Sequence, residues 1–330
     1  GFAVFDDKAF IGQGESTAYQ YSDADDPTSW TASNLSSSGN NANRFGKALN
    51  VNGDWALVKS LNDDDIHFSA DPTNSGAWGS AIEAGKDDHD IIQLYEMGGA
   101  LGVGFYQFMD IRGNRFINVY PGAEYAVSGD NFSRGIMYNG MFYTVMSEVG
   151  FMRYDGTAWE DLASVIESPG FDEFGNRIRA FGTDGQWLYA VVEDLESDSI
   201  TKKCWLLALK EIGGRWIVHQ VSSFVLSDCL DVAVFKTSGA NNRHLFVNGD
   251  INDEAYSYRA VLPNRTSTPR LATNREMTTS ATLITPYWDG GRPEVRKAFN
   301  EFTLISENLS GDRTVAVSYQ LDNDTTFTDV

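Results

Sequence analysis

A turn followed by a short strand recurs along the chain, and this repeat restricts the possible folds more than any other feature of the sequence. In each copy an Asn, Asp or Gly turn precedes a run of aromatic and β-branched residues, which is typical of a β-hairpin. The six copies are DDKAFIG from Asp6, NGDWALV from Asn52, GGALGVGF from Gly98, NGMFYTVM from Asn139, DGQWLYAVV from Asp184 and NRHLFVNG from Asn242. A second strand follows each copy, and these partners are AYQYSD from Ala18, DIHFSAD from Asp65, RFINVYPG from Arg115, GFMRYDG from Gly150, CWLLALKEI from Cys204 and AYSYRAVL from Ala255.

Further short segments accompany these strand pairs. Apolar segments such as KALNV, DIIQLYEM and CLDVAVF precede most pairs. The unit therefore contains about four strands, at a spacing of about 40 to 50 residues that is typical of propeller blades. We predict an all-β fold, a six-bladed β-propeller of four-stranded antiparallel blades, over residues 1–281.

This interpretation makes specific structural predictions. Equivalent places in the six blades are expected for the strands that begin near Ala9, Trp55, Ala100, Met141, Trp187 and His244. Helix is expected only around WEDLASVIES, where one or two turns could form. The alternatives are a propeller of seven blades and a set of stacked β-sandwiches.

The last part of the chain, residues 282–330, differs from the repeat. It contains two long strands, KAFNEFTLISENL and RTVAVSYQL, joined by a Gly-Asp turn. Roughly 50 residues are too few for a β-sandwich of about seven strands. The segment is therefore the start of a truncated β-sandwich, an element that closes the ring, or a part that another subunit completes. Two strands cannot bury both apolar faces, so we expect an assembly surface formed by Phe302, Leu304, Val317 and Tyr319.

Tryptophans follow the polar turns after four of the partner strands. They are Trp30, Trp78, Trp159 and Trp216, and the turns before the first and third of them contain Asp25 and Asp155. Because the same position repeats in several units, a structural role at blade corners is favoured over a single ligand site. The alternative is that exposed tryptophans at these corners stack on sugars.

Two stretches resemble known propeller proteins. The corner SDADDPTSW and the stretch from Pro286 to Val330 are similar to β-propeller proteins of tailed-bacteriophage virions, with their Ser-Asp-x-x-Asp-Pro-x-x-Trp corner and the segment that follows their propeller. This resemblance implies a structural role in a tail nozzle or hub and no catalytic residue. QLDNDTTF resembles the Asp-box turn of sialidases, with Asp322 and Phe327 at the matching spacing. An Asp box indicates fold more than chemistry.

Charge and cysteine content exclude several classes of function. The chain has 46 acidic and 25 basic residues, and the net charge of -21 repels nucleic-acid backbones. No apolar run approaches the roughly 18 residues that span a bilayer. Cys204 and Cys229 lie in apolar surroundings, where a free cysteine behaves as a small hydrophobe, and a disulfide between them stays an open alternative. The start at Gly1 indicates a processed chain or an excerpt from a longer polypeptide.

Catalytic and metal-binding patterns are weak. A sialidase-like hydrolase needs converging arginines and acidic groups, and the candidates that could meet at one mouth of a ring are Arg44, Arg112, Arg134, Arg177, Arg179 and Arg243. Structural roles are favoured for these arginines, because no pattern connects them. The runs Asp63–Asp65 and Asp87–Asp90 allow calcium, but solvated turns are favoured. No cofactor is expected.

These observations favour one function and leave two alternatives. The favoured function is a non-enzymatic structural or interaction module of a phage virion, in the tail or neck. Its partners would be other virion subunits, in a homo-oligomeric ring, and its localisation would be the virion or the extracellular space. The first alternative is a lectin-like propeller that binds surface glycans, and the second is a sialidase-like glycoside hydrolase.

Overall fold

The structure is a computed structural model. It describes residues 2–12, 14–23, 29–32, 41–42, 44–60, 64–85, 90–106, 108–112, 116–119, 131–146, 150–166, 177–193, 202–236, 243–251, 254–262, 318–319 and 328–329. Contacts divide the chain into two compact units, Gly1–Thr278 and Thr279–Val330. In the described part of the chain, no helix is long and apolar enough to cross a membrane.

The first two sheets are antiparallel and four-stranded. The strands of this region are β1 (Phe2–Phe5), β2 (Lys8–Ile11), β3 (Gly14–Ala18), β4 (Gln20–Asp23), β5 (Thr31–Ala32), β6 (Asn41–Ala42), β7 (Arg44–Leu49), β8 (Trp55–Ser60), β9 (Asp65–Ser69) and β10 (Ile82–Glu83). Sheet 1 has the order β1-β2-β4-β5, and sheet 2 has the order β7-β8-β9-β10. A separate short pairing joins β3 to β6.

Sheets 3 and 4 repeat the same antiparallel order. Sheet 3 contains β11 (Gln93–Met97), β12 (Ala100–Gly104), β13 (Met109–Arg112) and β14 (Phe116–Val119). Sheet 4 contains β15 (Gly135–Tyr138), β16 (Met141–Met146), β17 (Gly150–Tyr154) and β18 (Trp159–Asp161). A single helical turn, α1 (Ala163–Ile166), follows β18.

Sheets 5 and 6 contain the longest strands. Sheet 5 contains β19 (Arg177–Thr183), β20 (Leu188–Glu193), β21 (Lys202–Ile212) and β22 (Arg215–Leu226). Sheet 6 contains β23 (Asp228–Lys236), β24 (Arg243–Ile251) and β25 (Glu254–Leu262). In the second unit, β26 (Ser318–Tyr319) pairs with β27 (Thr328–Asp329).

Burial on both faces shows that the sheets stack on one another. A sheet covered on one side alternates buried and exposed residues along each strand. In contrast, β20 is buried at all six of its residues, and β8 and β16 are each buried at five of six. These central strands are therefore covered from both sides, as in a β-propeller.

Five hydrophobic clusters join consecutive sheets, from the pair 1 and 2 to the pair 5 and 6. Between sheets 1 and 2, for example, the rings of Phe10 and Phe45 lie 6.2 Å apart, and between sheets 4 and 5 the rings of Phe151 and Phe181 lie 5.8 Å apart. Strand β24 differs, because its buried residues alternate with half-buried ones. Within the described residues, sheet 6 is thus well covered on one face only.

The predicted propeller-like, all-β fold is confirmed. The second strand of each sheet begins within one residue of the predicted positions, at Lys8, Trp55, Ala100, Met141, Leu188 and Arg243. The helical turn expected in WEDLASVIES is also present as α1.

One detail of the prediction is wrong. RFINVYPG was predicted to pair with GGALGVGF, but β13 pairs with β12 and the predicted partner contains the outermost strand, β14. MDIR and FINV are both four residues long, but MDIR contains two charged residues and FINV contains none. The strand pattern of MDIR is therefore weaker than that of FINV. Sheet 6 has three strands in the described part of the chain, so its fourth strand stays a prediction. The predicted sandwich-like segment after residue 281 lies mostly outside the described residues.

Candidate functional site

The first strands of consecutive sheets contact one another in the series β1, β7, β11, β15, β19 and β23. We call the space beside these strands the central channel, and the end at which they begin the mouth. Side chains at the mouth come from sheets that are distant in sequence. Such a place, where groups from several elements converge, is typical of ligand sites.

Two arginines at the mouth tie neighbouring first strands together. Arg44 is the first residue of β7, and its Nε donates a hydrogen bond of 2.5 Å to the carbonyl oxygen of Ile92, just before β11. Arg134 precedes β15, and its Nε donates a hydrogen bond of 3.0 Å to the carbonyl oxygen of Arg179 in β19. These bonds fix the planes of both guanidinium groups.

Tyr95 lies between these two arginines. It is buried in β11, and its hydroxyl donates a hydrogen bond to the carbonyl oxygen of Phe132, in the segment that leads into β15. Burial raises the pKa of the Tyr95 hydroxyl, and the positive charges of Arg134 and Arg44 oppose that increase. The phenol therefore stays protonated and acts as a donor.

Asp231 of β23 brings a carboxyl group from sheet 6 to the same place. Its side chain is exposed to solvent, yet the surrounding protein raises its pKa by desolvation. We regard Asp231 as a channel-lining group, because both observations fit a side chain that water reaches in a concave site. A hydrogen bond from the Val232 amide and the positive charge of Arg134 oppose the increase in pKa.

A buried carboxylate also lies at the mouth. Glu193 ends β20, opposite Arg177, and its side chain is only 2% exposed. It forms ion pairs with Arg179 and Lys202. Two cations compensate the desolvation of this carboxylate, which alone would strongly destabilise the fold. Glu193 thus holds the side chain of Arg179 in place. The main-chain carbonyl oxygen of the same residue accepts the hydrogen bond from Arg134.

The structure separates the six candidate arginines into two groups. Arg44, Arg134, Arg177 and Arg179 lie at the mouth, where the first strands begin. Arg112 ends β13 at the opposite end, and its guanidinium lies 4.5 Å from the ring of Phe68. Arg243 begins β24, also at the opposite end, and pairs with Asp184 of the preceding sheet.

Three of the four corner tryptophans pack beside the clusters that join their own sheet to the preceding one. The Trp78 Nε1 donates a hydrogen bond of 3.1 Å to the Tyr19 hydroxyl. The ring of Trp159 lies 5.7 Å from Phe132, and that of Trp216 lies 6.1 Å from Tyr143.

The other predicted site residues have different positions. Trp30 is 37% exposed. Asp155 accepts hydrogen bonds of 2.7 and 2.8 Å from the amides of Thr157 and Ala158, which forms a tight turn before Trp159. Tyr319 lies in β26. Asp25, Phe302, Leu304 and Val317 lie outside the described residues, so the predicted assembly surface stays a prediction.

The described residues contain no evident metal site. Among the residues that the structure describes, no group of three or more His, Cys, Asp or Glu side chains could hold a metal ion. Of the acidic runs considered for calcium, Asp63, Asp87 and Asp88 lie outside the described residues. Cys204 and Cys229 are not joined by a disulfide, and both are buried in the cluster that joins sheets 5 and 6.

Sequence analysis missed three of the mouth residues, Tyr95, Glu193 and Asp231. Asp231 interrupts the apolar run CLDVAVF, and a charged residue inside a first strand is a signal that could have identified it. Tyr95 gives no comparable signal, because tyrosine is common in strands. Its relation to Arg134 depends on the packing of sheet 3 against sheet 4.

Comparisons with known proteins define a class of fold. No family model and no curated protein matches the sequence. Among solved structures, an ancestral GH74 enzyme is similar with a TM-score of 0.53 and 13% identity over 79% of this chain. The match spans only 36% of that enzyme's length. The structure of YjhT is similar with a TM-score of 0.42 and 10% identity, over 79% of this chain and 93% of that one. At 13% identity, the likeness to the GH74 enzyme shows a propeller-like all-β fold and no more.

The expectation of a non-enzymatic phage-virion module is wrong. The solved structure that is similar with a TM-score of 0.53 is an enzyme of the GH74 class. The corner SDADDPTSW misled the prediction, because turn residues of this type follow from local hairpin chemistry and recur in unrelated proteins. The predicted partners and localisation stay untested.

Proposed function

We propose that this propeller binds a glycan at the mouth of its central channel. The observation that carries the proposal is the convergence of Arg44, Tyr95, Arg134 and Asp231 from four different sheets. Glycan hydroxyls both donate and accept hydrogen bonds, so they are suited to a site that contains fixed guanidinium donors and a carboxyl group.

The electrostatics of the mouth differ from those of the whole chain. The net charge is -21, yet Arg44, Arg134 and Arg179 gather at one end. Arg134 uses Nε and Nη1 for the carbonyl oxygens of Arg179 and Ser133. Neither bond uses Nη2, which can donate to a ligand in a fixed direction. Such pre-organisation lowers the entropic cost of binding.

A glycan array followed by calorimetry tests this proposal. We expect binding to at least one glycan class, and Arg134→Ala should weaken that binding by about tenfold or more, because a charge-assisted hydrogen bond is lost. Arg112→Ala is the matched control, since Arg112 is a half-buried arginine at the opposite end of the sheets, and it should leave affinity unchanged. Equal affinities of the two variants, or no binding to any glycan, would contradict the proposal.

Glycoside hydrolysis is the second candidate function. The observation that favours it is the position of the Asp231 carboxyl group at the mouth, near Arg134. A general acid in a glycoside hydrolase has a raised pKa, and desolvation raises the pKa of the Asp231 carboxyl group. The glycans that bind should therefore also be analysed for cleavage products. Cleavage that Asp231→Asn abolishes, while binding persists, would identify an enzyme.

A further inference from the structure

A groove runs along the wall of the central channel between the first strands of sheets 3 and 4. Its volume is about 440 Å³, which is within the range of small-molecule sites. Its walls are formed by Leu94, Tyr95, Gly135, Ile136, Met137 and Phe142, with Glu96 and Gly98 at the far end. Both β11 and β15 are edge strands of their own sheets, so the groove follows two strand edges.

The groove is lined by more apolar than polar surface, and its polar side chains already have partners. The Tyr95 hydroxyl donates to the carbonyl oxygen of Phe132. The carboxylate of Glu96 lies 3.1 Å from the ammonium nitrogen of Lys47. The remaining lining side chains are aliphatic, thioether or aromatic. A polar group placed here would lose hydrogen bonds to water without replacing them by bonds to side chains.

Two glycines and two half-buried residues shape the groove. Gly135 and Gly98 add no side chain to its ends, and a Cβ at position 135 would lie 2.5 Å from Cζ of Phe142. Leu94 and Phe142 are buried, whereas Ile136 and Met137 are half-buried. Ile136 packs beside the cluster that joins sheets 4 and 5, and Met137 packs beside the cluster that joins sheets 3 and 4. Met137 is thus the half-buried apolar side chain on the groove side of β15.

The groove is continuous with the mouth. Gly135, at the upper end of the groove, directly follows Arg134. Tyr95 lines the groove and also lies within the electrostatic influence of Arg134. A ligand with its polar part at Arg134 would therefore direct an attached group along β15, toward Met137.

We propose that the groove between β11 and β15 binds an apolar aglycone, an aryl or alkyl group attached to the sugar held at the mouth. This inference rests on the proposed function and adds the class of ligand, an apolar glycoside instead of a free polar saccharide. The aglycone gains by burial of apolar surface, whereas the sugar gains by hydrogen bonds at Arg134 and Asp231.

Matched pairs of glycosides test the inference. The 4-nitrophenyl and methyl β-glycosides of glucose, galactose, mannose and glucuronic acid differ only in the aglycone, and their affinities are measured by calorimetry. For the sugar that binds, we expect the nitrophenyl compound to bind about tenfold tighter, as expected for burial of one small ring.

Two variants locate this advantage. Met137→Gln places an amide in the groove and should reduce the nitrophenyl advantage to about threefold or less. Ile111→Gln is the control, because Ile111 and Met137 are both half-buried beside the same hydrophobic cluster, but only Met137 lines the groove. Thermal unfolding verifies that both variants fold. The comparison of nitrophenyl with methyl glycosides is made on the wild-type protein, so it does not depend on the folding of a variant.

The outcomes separate the two proposals. If methyl glycosides bind and the nitrophenyl group adds nothing, the aglycone groove is refuted and glycan binding stands. The groove is also refuted if Met137→Gln and Ile111→Gln have the same effect on the advantage. If neither class of glycoside binds, the aglycone groove is refuted, and the glycan array decides the proposed function separately.

Discussion

Lys59 lies in the middle of sheet 2 with 2% of its surface exposed. Its ammonium nitrogen lies 4.7 Å from the ring centroid of Trp78 and 5.9 Å from that of Tyr19. Aromatic faces stabilise a cation but replace only part of its hydration. Burial consequently lowers the pKa of Lys59 from 10.5 to about 8. The corner tryptophan of sheet 2 therefore borders a charged group as well as a hydrophobic cluster.

We expect Lys59→Met to raise the free energy of unfolding at pH 7 by an amount on the order of 1–3 kcal/mol, because a shift of one pKa unit corresponds to about 1.4 kcal/mol. In the wild type, the unfolded chain binds the Lys59 proton more tightly than the folded chain does. Stability should therefore rise between pH 8 and pH 10.5 and stay constant below pH 8 with respect to this group. Urea unfolding at pH 7, 9 and 10.5 measures the difference between variant and wild type.

Lys203→Met is the control for this measurement. Lys203 lies 4.8 Å from the ring of Trp205 but is exposed to solvent, so its replacement should change stability little at any of these pH values. A Lys59→Met variant that is less stable than the wild type at pH 7 would show that the contacts of the ammonium group outweigh its desolvation.

At the scale of elements, the hairpin turns are the best-defined local structures. The turn between β17 and β18 is organised by Asp155, which accepts bonds from two amides and from the Thr157 hydroxyl. These bonds to the ionised carboxylate lower the pKa of Asp155 from 3.8 to about 2. The turn is thus stabilised at neutral pH by charge as well as by geometry.

Replacing Asp155 by Ala should lower the midpoint of thermal unfolding at pH 7 by a few degrees, because two amides lose their acceptor. The stabilisation is present above pH 3.8 and is lost as the pH falls toward 2, so the difference between variant and wild type should shrink over that range. Asp54→Ala is the matched control. In the turn between β7 and β8, the backbone amide of Asp54 donates to the side-chain oxygen of Asn50, and this bond does not involve the Asp54 side chain. Equal effects of the two substitutions would refute the assigned role of the Asp155 side chain.

Elements were predictable from sequence wherever local chemistry determines them. Asn139 and Gly140 both have positive φ, 51° and 78°, as a two-residue hairpin turn requires. The Asn-Gly pair in the sequence therefore predicted the β15–β16 hairpin. In contrast, β5 and β10 have two residues each and leave no detectable pattern. The mouth was not predictable, because the bond between Arg134 and Arg179 joins residues 45 positions apart. Its geometry depends on how the sheets stack.

At the scale of the whole molecule, ion pairs reinforce the apolar contacts between neighbouring sheets. Arg153 of sheet 4 lies 2.6 Å from Glu211 of sheet 5. Arg243 of sheet 6 pairs with Asp184 of sheet 5, whose carboxylate is almost fully buried. Pairs of this kind favour one relative position of two sheets, because a shift would leave a buried charge without its partner.

Removal of residues 279–330 should leave the first unit folded, with one cooperative transition near the wild-type midpoint, because Gly1–Thr278 forms a compact unit of its own. Scanning calorimetry measures the transition. A chain that ends at Leu226 is the control, since it lacks sheet 6 and exposes the cluster that sheets 5 and 6 share, and it should unfold at a lower temperature or aggregate. Loss of the cooperative transition in the first truncation would contradict the division into units.

The five clusters that join consecutive sheets also bear on how the protein is made. Each cluster needs only two sheets that are neighbours in sequence, so each new sheet can pack on the one already formed while the ribosome is still adding the next. Contacts between near neighbours in sequence cost little loop-closure entropy and shorten the time during which strand edges stay open. Sheet 6 is synthesised last of the six sheets. Its second face would then be the last to be buried by other parts of the protein.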